Sequence, residues 1–192
     1  QSDCAGCASA VNIVCHFTMF QLLRFFLVMM PIAVLAVVSI VLFNPWLLVP
    51  WVLLLSAFFG FVEIRVMCSH CPHYAEPEAK SLKCWANYGA PKLWKYHPGP
   101  MNAVEKTTFF AGFVLLCGFP AVLGVLGGHY IVLALLLLSI VLAGVALRIY
   151  YCNRCMNFAC PFNSVKREAR DLFFGNNPVV EKAWKGVGDN EA

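Results

Sequence analysis

Residues 25–67 read FFLVMMPIAVLAVVSIVLFNPWLLVPWVLLLSAFFGFVEIRVM. No Asp, Glu, Lys or Arg occurs before Glu63, and the Asn44-Pro45 pair divides the stretch into two apolar runs. A helix needs roughly 20 mostly apolar residues to cross about 30 Å of hydrocarbon. Segments 25–43 and 46–67 therefore each predict a membrane span, and the short break between them predicts a tight helical hairpin. Further along, 108–127 and 130–151 repeat the arrangement around Gly127-Gly128-His129. Pro31 and Pro120 fall inside the first and third spans, where each predicts a packing kink with a freed carbonyl for neighbours to satisfy.

The composition agrees with a membrane protein. Of 192 residues 60% are hydrophobic and 12% charged, with a mean hydropathy of +0.72, whereas soluble domains carry roughly a quarter charged residues. The polar stretches are too short for a separate core, so the chain predicts a single membrane domain over 1–192. It divides into an N-terminal arm (1–24), hairpin 1 (25–67), a central loop (68–107), hairpin 2 (108–151) and a tail (152–192). Residues 1–16 lack the basic start and short apolar core of a secretory signal.

All 14 Lys and Arg residues lie in the arm, the central loop, the tail or the span ends beside them, and neither short loop has any. Basic residues in short loops mark the cytoplasmic side. Both termini and the central loop are thus expected in the cytoplasm. Trp46, Trp51 and Tyr130 would form the outer aromatic belt, with Trp85, Trp94, Tyr96, Tyr150 and Tyr151 candidates for the inner one.

Each hairpin ends alike: Arg65, Cys68, Cys71 and Tyr74 match Arg148, Cys152, Cys155 and Phe158. The expected fold class is therefore an all-α membrane protein of four transmembrane helices, built as two duplicated hairpins with a cysteine-rich cytoplasmic loop and tail. A parallel repeat of this kind would bring the two Cys-x-x-Cys pairs together around an axis along the membrane normal.

Nine of the ten cysteines lie outside the spans, as Cys4, Cys7 and Cys15; Cys68, Cys71 and Cys84; and Cys152, Cys155 and Cys160. Every triple contains a Cys-x-x-Cys pair, which lets one short turn present two thiolates to a metal. Disulfides or redox thiols are the competing reading, opposed by a reducing cytoplasm. His70 and His73 flank the central pair and could complete a Cys3His site, with His16 a further candidate. Cys117, alone among apolar residues, is expected to be packing.

Cys71 and Cys160 are each followed by proline, and Cys152-x2-Cys155-x4-Cys160-Pro161 resembles part of the cluster-binding run of bacterial ferredoxins. It has one cysteine fewer and a different second gap. The resemblance implies a [4Fe–4S] cluster whose fourth ligand comes from another segment, such as Cys84, Cys15 or a histidine. Zinc is the alternative cofactor, since Cys68, Cys71, Cys152 and Cys155 would complete a closed Cys4 site.

Glu63 and Arg65 sit one turn inside the second span, and Arg148 lies at the matching depth of the fourth, which suggests an ion pair of Glu63 with Arg148 or Arg24. Residues 84–100 interleave aromatics with Lys92 and Lys95. Beside a membrane these read as anchoring to anionic headgroups and a non-helical lid over the spans, not as nucleic-acid binding. Val165, Ala169, Leu172 and Phe173 share a helical face opposite Lys166, Arg167 and Arg170, as in a helix lying in the interface, and Asn177-Pro178 starts a second short helix ending near Lys185.

The functional expectation is an iron–sulfur electron-transfer subunit at the cytoplasmic membrane face. Its partners would be the lipid bilayer, a protein of the same membrane complex and a lipid-soluble electron carrier. The alternatives are a zinc-stapled scaffold and a thiol-based soft-metal transporter. The transporter is disfavoured because the spans hold only Cys117 and neither outer loop holds a cysteine.

Overall fold

The computed structural model describes residues 12–14, 17–75, 80–82 and 84–188, and among them the fold is all-helical. The helices are α1 (Met19–Phe43), α2 (Leu48–Ala57), α3 (Glu63–Val66), α4 (Ala103–Leu126), α5 (Tyr130–Tyr150), α6 (Arg167–Gly175) and α7 (Pro178–Gly188). Four helical stretches are long and apolar enough to cross a membrane: Met19–Phe43, Pro45–His70, Ala103–Leu126 and Tyr130–Arg154. Large apolar side chains such as Leu27, Val114 and Ile131 are exposed along them, as expected where lipid tails take the place of a protein core.

Two of these helices begin earlier than span length alone suggests. Thr18 and Gln21 form a reciprocal capping box that starts α1 at Met19, ahead of Phe25. Asn102 and Glu105 form another that starts α4 at Ala103, ahead of Thr108. Each box satisfies amides that a helix start leaves orphaned, so Arg24, Glu105 and Lys106 are carried inside helices.

The hairpins do not pack as separate units. α1 lies mainly against α5 and α4 and only lightly against α2, while the α2–α3 stretch packs on α4. Between α2 and α3 the helix widens into one π-helical segment, Phe58–Val62, of the kind that recurs near functional sites.

Pro120 has no amide to offer the carbonyl of Leu116, four residues earlier. Trp51 supplies the missing donor: its Nε1 donates to Leu116 O at 3.1 Å. Ser39 Oγ also donates to Pro120 O at 2.7 Å. Trp51 is therefore an interior hydrogen-bond donor and not part of an aromatic belt, whereas Trp46 and Tyr130 are exposed. Trp51→Phe leaves that carbonyl without its donor and is expected to cost about 1 kcal/mol, read as a lower midpoint of unfolding in detergent.

The short connections at Asn44 and at Gly127–Gly128 lie at one end of the bundle. The described residues of the longer segments gather at the other, where Val14 pairs with Cys155. The tail helices also turn there. The apolar face of α6 is partly covered by protein: Ala169 and Phe173 bury against Ile13, Cys71, Met156 and Val180, while Leu172 stays exposed.

Candidate metal centre

Two turns of nearly identical backbone form the floor of the site. Met67 ends its helix at φ −123°, ψ −53°, a 3-10 turn runs Cys68–His70, and Cys71 is extended at φ −73°, ψ 137°. In the tail Tyr151 adopts φ −126°, ψ −53°, the 3-10 turn is Cys152–Arg154, and Cys155 has φ −79°, ψ 128°. Cys71 N donates to Cys68 O at 2.9 Å, so the first turn closes on itself.

Cys84 and Cys160 are brought in by aromatic anchors beside them. Trp85 packs between Phe25 of α1, edge-to-face at 5.1 Å, and Tyr151, tilted at 4.9 Å. Phe162 packs at 5.9 Å from both Phe109 and Phe113 of α4. Asn157 Nδ2 donates across to Met67 O at 3.4 Å, tying tail to central loop. Asn163 Nδ2 donates to Cys155 O at 2.7 Å and braces the tail turn.

The result is one cluster of six free thiols. Cys71 feels Cys155, Cys84 and Cys160 electrostatically; Cys68 feels Cys84 and Cys71; Cys152 feels Cys84; and Cys160 feels Cys155 and Cys152. Burial, followed by repulsion from neighbouring thiols, pushes Cys71 well above the usual thiol range. The same two causes push Cys84 up to about 12, and burial pushes Cys155 and Cys160 upward as well. A bound cation would supply the positive charge that burial denies these thiolates.

Donors already face the sulfurs. The backbone N–H groups of His73, Ala86, Asn157 and Phe162 act on Cys71, Cys84, Cys155 and Cys160, in each case from two residues on. After Cys71 and Cys160 the intervening residue is a proline, which has no N–H, so the next amide is the first available donor. Asn87 Nδ2 donates to Cys68 Sγ at 3.3 Å and to Glu63 Oε2 at 3.2 Å. Trp85 Nε1 has no partner at hydrogen-bond distance and acts on Cys155.

Among the described residues, Glu63 therefore has Asn87 as its partner and not Arg148 or Arg24. Arg24 lies over the Phe20 ring at 4.5 Å. Arg148 is placed to attract Cys152. Trp85 and Tyr151, read from sequence as interfacial anchors, instead hold the site, while Trp94 and Tyr150 are exposed. His73 is buried and offers its backbone N–H to Cys71. Cys4, Cys7, Cys15 and His16 lie outside the described residues.

His70 turns to a different group. Its Nδ1 lies 3.1 Å from Gly99 O and its Nε2 3.2 Å from Glu105 Oε2. His97 Nδ1 approaches Glu105 Oε1 at 4.0 Å. Sequence reasoning missed His97 and Glu105, which stand far from His70 in the chain. The rigid His97-Pro98-Gly99-Pro100 segment was the available signal.

Comparison with protein families, with characterised proteins and with solved structures gives no match. The functional reading therefore stands on the site itself.

Proposed function

We propose that the protein binds an iron–sulfur cluster through thiols drawn from Cys68, Cys71, Cys84, Cys152, Cys155 and Cys160, and transfers electrons at the cytoplasmic face of the membrane. The observation that carries this reading is the convergence of six thiols, four of them buried and two half-buried, from two separate segments at one end of the bundle. Their number supports a polynuclear centre. Six thiols are more than the four that a single tetrahedral zinc takes, and all six are free.

An iron–sulfur cluster supplies one-electron chemistry. The chain's own residues bury the thiols, exclude water with the α6 face, and aim the Asn87 side chain and four amides at the sulfurs. Such hydrogen bonds favour the more negative, reduced state and set the potential. Exchange partners would be a protein of the same membrane complex and a lipid-soluble carrier. We read the matched turns as products of an internal duplication. The contacts of α2 with α4 and of α5 with α1 are those that a two-fold axis between α1 and α4 would relate.

Protein purified anaerobically is expected to be brown and to contain iron and sulfide in near-equal amounts, with a visible absorption that bleaches on reduction. Colourless protein carrying stoichiometric zinc would overturn this reading in favour of a zinc-stapled scaffold. The two matched Cys-x-x-Cys turns favour that second reading, because they are the donor set a closed Cys4 site uses.

A further inference from the structure

We infer that His70, His97 and Glu105 form a second, mononuclear site for a divalent first-row transition metal, distinct from the thiol cluster and open to exchangeable ligands. Their ligating atoms all lie within 4.8 Å of one another. The argument turns on the His70 ring, whose side chain is fully buried. Gly99 O is a pure acceptor, so the Nδ1 that faces it at 3.1 Å carries the proton. Nε2 faces the carboxylate of Glu105 at 3.2 Å, a contact that needs a cation between the two atoms, either a proton on Nε2 or a metal ion in its place. A metal-binding histidine commonly donates its other N–H to a backbone carbonyl in this way.

Distances fit a metal. Metal–N and metal–O bonds of 2.0–2.2 Å place neighbouring ligand atoms about 3.0–3.4 Å apart, which the His70–Glu105 pair already satisfies. His97, with a side chain 58% exposed, has room to close its 4.0 Å approach. The segment that bears it is fixed from both sides. His97 N donates to Ser69 O at 2.9 Å, and Gly99 holds φ at +118°, a conformation glycine adopts without strain. Arg65 Nη1 lies 3.5 Å from Glu105 Oε1, and Asn102 N donates to Oε2 at 3.0 Å. A carboxylate has about four lone-pair positions, so acceptor capacity remains for an ion.

Two imidazoles and one carboxylate are the donor set of open iron(II) and zinc sites, in which the remaining positions take water or substrate. Because His97 is exposed, those positions face solvent. The site does not depend on what the thiols hold. It shares the Cys68–Cys71 turn with them, which places a mononuclear ion beside the proposed electron-transfer centre.

The test uses Co(II) added to the purified full-length protein in detergent. Wild type is expected to bind one equivalent with weak visible bands and no thiolate-to-cobalt charge transfer. Glu105→Gln and His97→Ala should each weaken that uptake at least tenfold. Gln at 105 preserves the capping-box acceptor at the start of α4, so helix content should not change. Wild type that takes up no such equivalent would reduce the group to a His70–Glu105 ion pair and overturn the proposal. Unchanged uptake in both variants would overturn it equally.

Discussion

If the thiols hold the proposed iron–sulfur cluster, replacing Cys155 with serine should strip the protein of most of its iron. Cys155 is the meeting point of the thiol cluster, acting on Cys71, Cys84 and Cys160 and acted on by Cys152. It is buried, and the Asn157 amide and Trp85 indole are aimed at its sulfur. A serine hydroxyl is a hard, weakly acidic donor that neither bridges to soft iron–sulfur units nor uses those N–H groups as a thiolate would. Iron content should fall about tenfold or more, with the visible absorption falling in step. Cys117→Ser is the matching control, since Cys117 lies within α4 away from the cluster, and iron should be unchanged. Cys71→Ser adds a second consequence. Its side chain belongs to the apolar cluster that seats α6 and α7, so limited proteolysis should cut the tail faster than in Cys155→Ser.

The parts of this architecture that were legible in the sequence are those written as local composition. The four apolar helices follow from uninterrupted runs between charged segments, and the Cys-x-x-Cys turns follow from spacing. The starts of α1 and α4 were also written locally, as Thr18-x-x-Gln21 and Asn102-x-x-Glu105, but span reasoning treated Arg24, Glu105 and Lys106 as boundaries. Capping satisfies orphan amides before charge begins to cost, so the helices simply extend past the bilayer edge. What stayed hidden depends on tertiary contact. Nothing local says that Trp51 will answer the carbonyl freed by Pro120, or that Asn87 will claim Glu63 before an arginine does. The tail helix has the pattern of an interfacial helix because a face that covers a buried site and a face that covers lipid have the same period.

Gly112→Ala should destabilise the bundle by about 2–3 kcal/mol and lower iron occupancy with it. A Cβ at 112 would be driven into the Phe58 ring. That ring cannot swing aside cheaply. It is 3% exposed and is held by Phe59 at 5.2 Å, Phe113 at 5.9 Å and Phe109 at 6.2 Å. Phe58 also opens the π-helical segment Phe58–Val62. One extra residue in that turn resets the rotation of everything after it, including Glu63, Cys68 and Cys71. Pushing Phe58 out of place therefore acts on the thiols through the register of α3, as well as on the packing of α4. Gly60→Ala separates the two effects. It lies in the same π-helical segment with open space around its Cβ position, so it should leave both the unfolding midpoint and the iron content close to wild type. Equal losses in the two variants would mean that glycine flexibility, and not the Phe58 contact, sets the register, whereas a loss confined to Gly112→Ala assigns it to the close approach of α4.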